Sequence, residues 1–232
     1  MTDKQKIATI YISVAVISAL ILAVTFYIRS HGLQQSQQKP YYSKDSKLEP
    51  LLTLKEDITL KNQDGEEVKI SDLKGKVWAV AQFYASCPMC AERNDQGLKQ
   101  LYEKFKDVPD FQLVCITVDP ATDGVAEMKS YADALDASTK NWWFLTGEAE
   151  PLLHYMRYEM KYDTITKRTN PEEIAVKGEI AHNMSITVFN RSLGMIGERV
   201  DLNKARGDGE KTYRETEKKL HQLIEAALSQ DK

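Results

Sequence analysis

The stretch VWAVAQFYASCPMCAERN, residues 77–94, constrains the fold of this chain more than any other. VWAVAQFY is mostly apolar and of strand length, as expected of a strand covered on both faces. It runs straight into Cys87 and Cys90, with only Pro88 and Met89 between them. Beyond the pair, Leu98, Leu101 and Phe105 recur at helical spacing as far as about Lys106. Pro88 suits the first helical turn, where its missing N–H leaves no bond unmade. The two thiols are therefore expected where a buried strand gives way to a helix.

The flanking segments continue the alternation. ITLKNQDGEEVKI places Asp64 and Gly65 between two partly alternating stretches, a β-hairpin signal. FQLVCITVD reads as a second buried strand, GVAEMKSYADAL as a helix, WWFLT as a short strand, and EAEPLLHYMRYEM as a helix with Pro151 in its first turn. MSITVFN and LGMIGERV, joined around Arg191 to Leu193, read as a terminal hairpin. GEKTYRETEKKLHQLIEAALS closes the chain as an amphipathic helix with Leu220, Leu223, Ile224 and Leu228 on one side. Strands alternating with helices imply an α/β sandwich with a central mixed sheet, parallel first and closed by an antiparallel hairpin. This is the thioredoxin-like order of elements.

Upstream the composition changes twice. Ile7 to Ile28, IATIYISVAVISALILAVTFYI, holds 22 residues without a charge. At about 1.5 Å rise per residue that length crosses a hydrocarbon core of roughly 30 Å. Residues 1–6 are thus expected to be a short leading segment, 7–28 a transmembrane helix, 29–48 a flexible tether rich in Gln, Ser and Lys, and 49–232 the folded domain. RSHGLQQ, after the apolar run, offers no small-x-small cleavage site. With the N-terminus inside, the domain would occupy the non-cytoplasmic side, a periplasm-like or intermembrane compartment where disulfides persist. A formal net charge of −3 provides no global basic field for nucleic acid.

A cysteine at a helix N-terminus faces unpaired N–H groups and the positive end of the helix dipole, which favour thiolate over thiol. In C-x-x-C motifs this lowers the pKa from about 8.5 into a range of about 3.5 to 7.5. Cys87 would be the more reactive thiolate and Cys90 its resolving partner. The same spacing also grips a soft metal ion. Zinc is disfavoured, because a closed zinc site needs four ligands and the chain has three cysteines. Cys115, inside FQLVCITVD, reads as an inert buried residue. Among the histidines, His31 and His221 read as solvated, and His154 as part of a packing face. His182, in EIAHNMSITVFN, stands just before a strand that would run past the cysteine-bearing helix.

These segments resemble the Sco/SenC family of membrane-anchored, thioredoxin-like copper proteins. The similarity lies in DGEEVKISDLKGKVWAVAQFYASCPMC, CITVDPATD, NWWFLTGE and AHNMSITVFNRSLGMIG, in that order, and covers most of residues 57–230. The resemblance implies a copper site made by Cys87, Cys90 and His182, and a role in assembling the binuclear copper centre of cytochrome c oxidase. Its partner would be the copper-centre subunit of that oxidase or another thiol or copper protein. Thiolates suit Cu(I), and imidazole also accommodates Cu(II). The family motif has three residues between its cysteines, whereas CPMC has two. That departure favours thiol–disulfide exchange, with Cys87 and Cys90 as catalytic thiols, as the alternative. Met89 is a lesser candidate for a thioether ligand, and Asp119 is expected to cap its turn.

Overall fold

The computed structural model describes the backbone of residues 2–35, 40–85, 87–163 and 165–230, and their side chains except at 4, 7, 8, 10, 28–35 and 88–96. The chain divides into two units, Met1–Pro40 and Tyr41–Lys232. The first holds a single helix, α1 (Asp3–Gln35). From Tyr11 to Tyr27, where its side chains are described without a break, every residue is exposed, including Ile17, Leu20, Ile21, Val24 and Phe26. Among the described residues no helix is long and apolar enough to cross a membrane.

The second unit begins earlier than composition indicates. Tyr42 and Leu48 pack against the core, and Gln222 Oε1 accepts from the Tyr41 N–H at 2.9 Å. The stretch expected as a flexible tether, residues 29–48, is thus helical as far as Gln35 and packed on the folded unit from Tyr41 onward.

In chain order the unit contains β1 (Pro50–Thr53), the hairpin β2 (Thr59–Lys61) and β3 (Glu67–Lys69), β4 (Val77–Phe83), α2 (Pro88–Phe105) and β5 (Phe111–Thr117). Then come α3 (Val125–Ala134), β6 (Trp142–Leu145), α4 (Ala149–Tyr158), β7 (Thr166–Lys167), α5 (Pro171–Lys177) and β8 (Ile180–Ala181). β9 (Ile186–Phe189), β10 (Gly194–Val200), α6 (Leu202–Gly207) and α7 (Glu210–Ser229) complete it. The main sheet has the order β1-β10-β9-β4-β5-β6. β4, β5 and β6 are parallel, and β9 and β10 join them through antiparallel pairs, as the thioredoxin-like reading requires.

β4 is buried along its whole length because both faces are covered. Val77, Ala79, Ala81 and Phe83 pack with Leu98, Leu101 and Phe105 of α2 and with Leu220, Leu223 and Ile224 of α7. Trp78 and Val80 pack on the other face with Leu152, Tyr155 and Met156 of α4. Trp78 stacks on Phe189 of β9 at 4.2 Å between ring centroids. Each such burial stabilises the fold by about 1.5–3 kcal/mol. The result is a rigid central strand whose C-terminal end delivers the cysteine-bearing turn. The segment β7–α5–β8 was not expected from sequence, and α5 buries none of its side chains.

Candidate thiol and metal site

β4 ends at Phe83, α2 starts at Pro88, and Cys87 occupies the turn between them. Its N–H donates to Tyr84 O at 3.3 Å, and its side chain is 4% exposed. Cys90 lies in the first turn of α2 by its backbone, as the motif requires. The side chains of Cys90 and Met89 lie outside the described residues.

The segment β7–α5–β8 covers this turn. Asn170 caps α5 by accepting from the Glu172 N–H, Pro171 fills the first turn, and Gly178 ends the helix at φ +75°. A Cβ at Gly178 would fall 1.8 Å from Tyr84 Oη and 3.4 Å from Cys87 Sγ. The backbone therefore lies directly on the tyrosine and beside the thiol, and glycine is needed for both space and conformation. Tyr84 Oη accepts from the Ile180 N–H at 3.3 Å. On the same ring His182 packs edge-on, at 5.5 Å and 79°. Cys87 and His182 are thus gathered around Tyr84.

The imidazole is held at one nitrogen only. His182 Nδ1 lies 3.2 Å from Ile180 O, and a carbonyl only accepts, so Nδ1 carries the hydrogen and Nε2 the lone pair. Nε2 is buried and has no hydrogen-bond partner among the described residues. Burial, with the Arg168 charge as a lesser cause, lowers the His182 pKa against the opposing bond to Ile180 O. A neutral imidazole with a free lone pair is the form that ligates metal. The next residue is fixed from below, since the Asn183 N–H donates to Gln82 Oε1 at 3.0 Å, while Gln82 Nε2 donates to Met156 Sδ at 3.5 Å.

A buried carboxyl braces the turn from the opposite side. Asp123 is fully buried, and its Oδ2 accepts from the Ala85 N–H at 3.0 Å and from Thr117 Oγ1 at 2.5 Å. Its backbone O accepts from Thr146 Oγ1, so one residue ties together the C-terminal ends of β4, β5 and β6. Burial raises its pKa, outweighing the two hydrogen bonds. Asp119, expected to cap the turn, does so through its backbone: its O accepts from the N–H groups of Thr122 and Asp123.

The other sequence candidates separate cleanly. Cys115 is wholly buried in β5, and burial pushes its thiol up to about 12 while Trp142 Nε1–H donates to its sulfur. His154, read as part of a packing face, is exposed: α4 buries Leu152, Tyr155 and Met156 instead, and His154 meets the exposed Tyr158, at 4.4 Å between centroids. His221, expected to be solvated, is half-buried against Phe105, because α7 turns it toward the α2 face. The His31 side chain lies outside the described residues. Among the described residues no group of three His, Cys, Asp or Glu side chains is close enough to hold a metal ion, a set that excludes the Cys90 side chain.

Sequence reasoning missed Tyr84, Gln82, Asp123, Gly178 and Arg168. Gln82 was a visible signal, the one polar residue inside VWAVAQFY. Asp123 closed the VDPATD motif but gave no pattern of its own.

Comparison with known proteins matches this architecture. A family model described as SCO1/SenC matches residues 48–218. A SCO1 protein homolog of Bacillus subtilis is 33% identical over 107 residues, which are 44% of this chain and 53% of that protein. The chain thus spans about half the length of the curated relative it matches. The solved structure of BsSco, a member of the Sco family of cytochrome c oxidase assembly proteins with a disulfide switch, gives a TM-score of 0.59 at 21% identity, covering 80% of this chain and 100% of that one. Copper-bound ScoI of Bradyrhizobium japonicum gives 0.53 at 20% identity, covering 70% and 97%. At these identities the solved structures establish a shared fold.

Proposed function

We propose that this chain, which belongs to the SCO1/SenC family, carries copper as cargo on Cys87, Cys90 and His182 and serves assembly of the copper centre of cytochrome c oxidase. The observation that carries the reading is His182 Nε2. It is a buried nitrogen with no hydrogen-bond partner among the described residues, on a ring that shares Tyr84 with Cys87. A buried polar atom without a partner is destabilising unless a ligand completes it. Two thiolates and one neutral imidazole form a soft donor set suited to Cu(I). The B. japonicum ScoI structure holds copper, and BsSco is described as an oxidase assembly protein; both support the assignment.

The same reading places residues 7–28 in a membrane as a single span, with the folded unit on the non-cytoplasmic side. Its support is the uncharged run and the exposed, mostly apolar side chains of Tyr11–Tyr27 around α1. Copper would then be received and delivered within reach of a membrane enzyme. To test the cargo assignment, the reduced full chain in detergent is loaded with Cu(I) against a competing chelator. Retention by the wild type and loss in His182→Ala are expected. Equal retention in both would remove His182 from the site.

The spacing of CPMC supports a second activity. Attack of the Cys87 thiolate on a partner disulfide would form a mixed disulfide and expel one partner thiolate. Attack of the Cys90 thiolate on Cys87 Sγ would then release the second partner thiol and leave the Cys87–Cys90 disulfide. Partner oxidised sulfur is reduced and the chain's own pair is oxidised, which also abolishes the copper donors. A Cys90→Ser variant should accumulate mixed disulfides in cells. A clean absence of such adducts would leave copper carriage alone.

A further inference from the structure

Arg168 contributes nothing to the set of ligands, yet it holds the segment that joins them. Its Nη1 donates to the carbonyl oxygens of Lys177, Gly178 and Ile180 at 3.2, 2.9 and 2.8 Å. Its backbone N–H donates to Glu179 O at 2.7 Å. Bonds from a charged donor are roughly twice as strong as neutral ones, and the two hydrogens of Nη1 serve three oxygens, so one hydrogen is shared between two carbonyls.

Two of those carbonyls belong to residues that meet the site. Gly178 is the residue whose backbone lies against Tyr84 Oη and Cys87 Sγ. Ile180 O is shared between Arg168 Nη1 and His182 Nδ1. Apolar packing does little to hold α5, which buries no side chain, and the β7–β8 ladder consists of two residue pairs. Ile180 anchors the end of the covering segment in the core beside Tyr84 and Cys87, while the 177–178 stretch before it is held through its backbone, with the Arg168 guanidinium as its charged donor.

We propose that Arg168 is a positioning residue whose guanidinium clasps the 177–180 backbone over Cys87 and thereby sets both the exposure of that thiol and the Nδ1–H form of His182. The proposal rests on Cys87 and His182 forming one site. Release of the clasp frees the 177–180 backbone, which carries both Gly178 against the thiol and the Ile180 carbonyl that His182 Nδ1 donates to, so opening the cover and loosening the imidazole are one event.

The test uses the metal-free, reduced full chain in detergent, so its outcome is independent of copper. Alkylation of each cysteine by iodoacetamide is followed by peptide mass spectrometry, and the His182 tautomer is read by 15N NMR. Arg168→Ala is expected to raise the Cys87 rate at least tenfold and to turn a pure Nδ1–H signal into a mixture, while Cys115 stays unreactive. Arg168→Lys keeps the charge on a shorter side chain that stops short of the Nη1 position and is expected to restore less than half of the effect. Three results would overturn the clasp: an unchanged Cys87 rate and tautomer in Arg168→Ala, an equal rise at Cys115, or full restoration by lysine. Copper titration of the same proteins is read separately. A wild type that takes no copper while the alkylation difference holds would sink the cargo assignment and leave the clasp standing.

Discussion

Replacing Gly178 by alanine should strike the site at its tightest contact. The residue sits at φ +75° and ψ 170°, a region nearly exclusive to glycine, and holding alanine there costs about 1–3 kcal/mol. The new methyl carbon would stand 1.8 Å from Tyr84 Oη, so the ring must move and release the Ile180 N–H it accepts from. That loss adds about 0.5–1.5 kcal/mol. The total is about 1.5–4.5 kcal/mol, or roughly a 10- to 1,600-fold shift in an equilibrium, since about 1.4 kcal/mol is tenfold. Where the strain is borne globally, the urea midpoint falls at unchanged slope. Where it is released by local opening, the midpoint holds and Cys87 alkylation accelerates by that factor. Tyr84→Phe removes the oxygen that clashes, so the double variant should cost less than the sum of the two singles. A Gly178→Ala protein within about 0.5 kcal/mol of wild type, with an unchanged Cys87 rate, would refute the placement of this backbone over the thiol.

Other perturbations have equally definite outcomes. Asp123→Ala leaves the buried Ala85 N–H and Thr117 hydroxyl without their acceptor, a loss of about 2–4 kcal/mol in urea unfolding, whereas Asp123→Asn, which keeps an acceptor oxygen, should lose less. Because burial raises the Asp123 pKa, the native state holds its proton more tightly than the unfolded chain. Asp123→Asn should therefore gain on wild type as pH rises from about 4 through the folded pKa. His182 and His221 have pKa values lowered chiefly by burial, so the native state binds fewer protons than the unfolded chain near the ordinary histidine pKa. Their contribution is complete above about pH 6.5 and is lost as pH falls toward the folded values; His182→Gln should flatten that slope in urea midpoints measured from pH 7.5 downward. Phe189→Ala removes the ring stacked on Trp78 and should cost about 3–5 kcal/mol by the same assay.

The elements legible in the sequence are those stabilised by their own apolar pattern. VWAVAQFY, FQLVCITVD and WWFLT became β4, β5 and β6, and Leu220, Leu223 and Ile224 marked the buried side of α7. The junction that carries Cys87 was legible for the same reason, because a doubly covered strand and a helix with Pro88 in its first turn leave little choice about where the turn falls. The cover was not legible. β7, α5 and β8 are short, α5 buries no side chain, and much of what holds them is a cap, a two-pair ladder and one guanidinium reaching three carbonyls, which leaves no periodicity to read. The brace at Asp123 and the anchor at Gln82 are single polar residues whose partners lie 38 and 101 positions away along the chain. His182 was found because of the segment around it; the burial of its Nε2 and its place beside Tyr84 belong to tertiary structure alone.

The central claim is that Cys87, Cys90 and His182 form one copper site, and X-ray absorption at the copper edge of the Cu(I)-loaded, reduced full chain tests it most directly. The expected first shell contains two sulfur scatterers and one imidazole nitrogen, and His182→Ala should lose the nitrogen. A shell without imidazole in the wild type, or one that His182→Ala leaves unaltered, would contradict the claim.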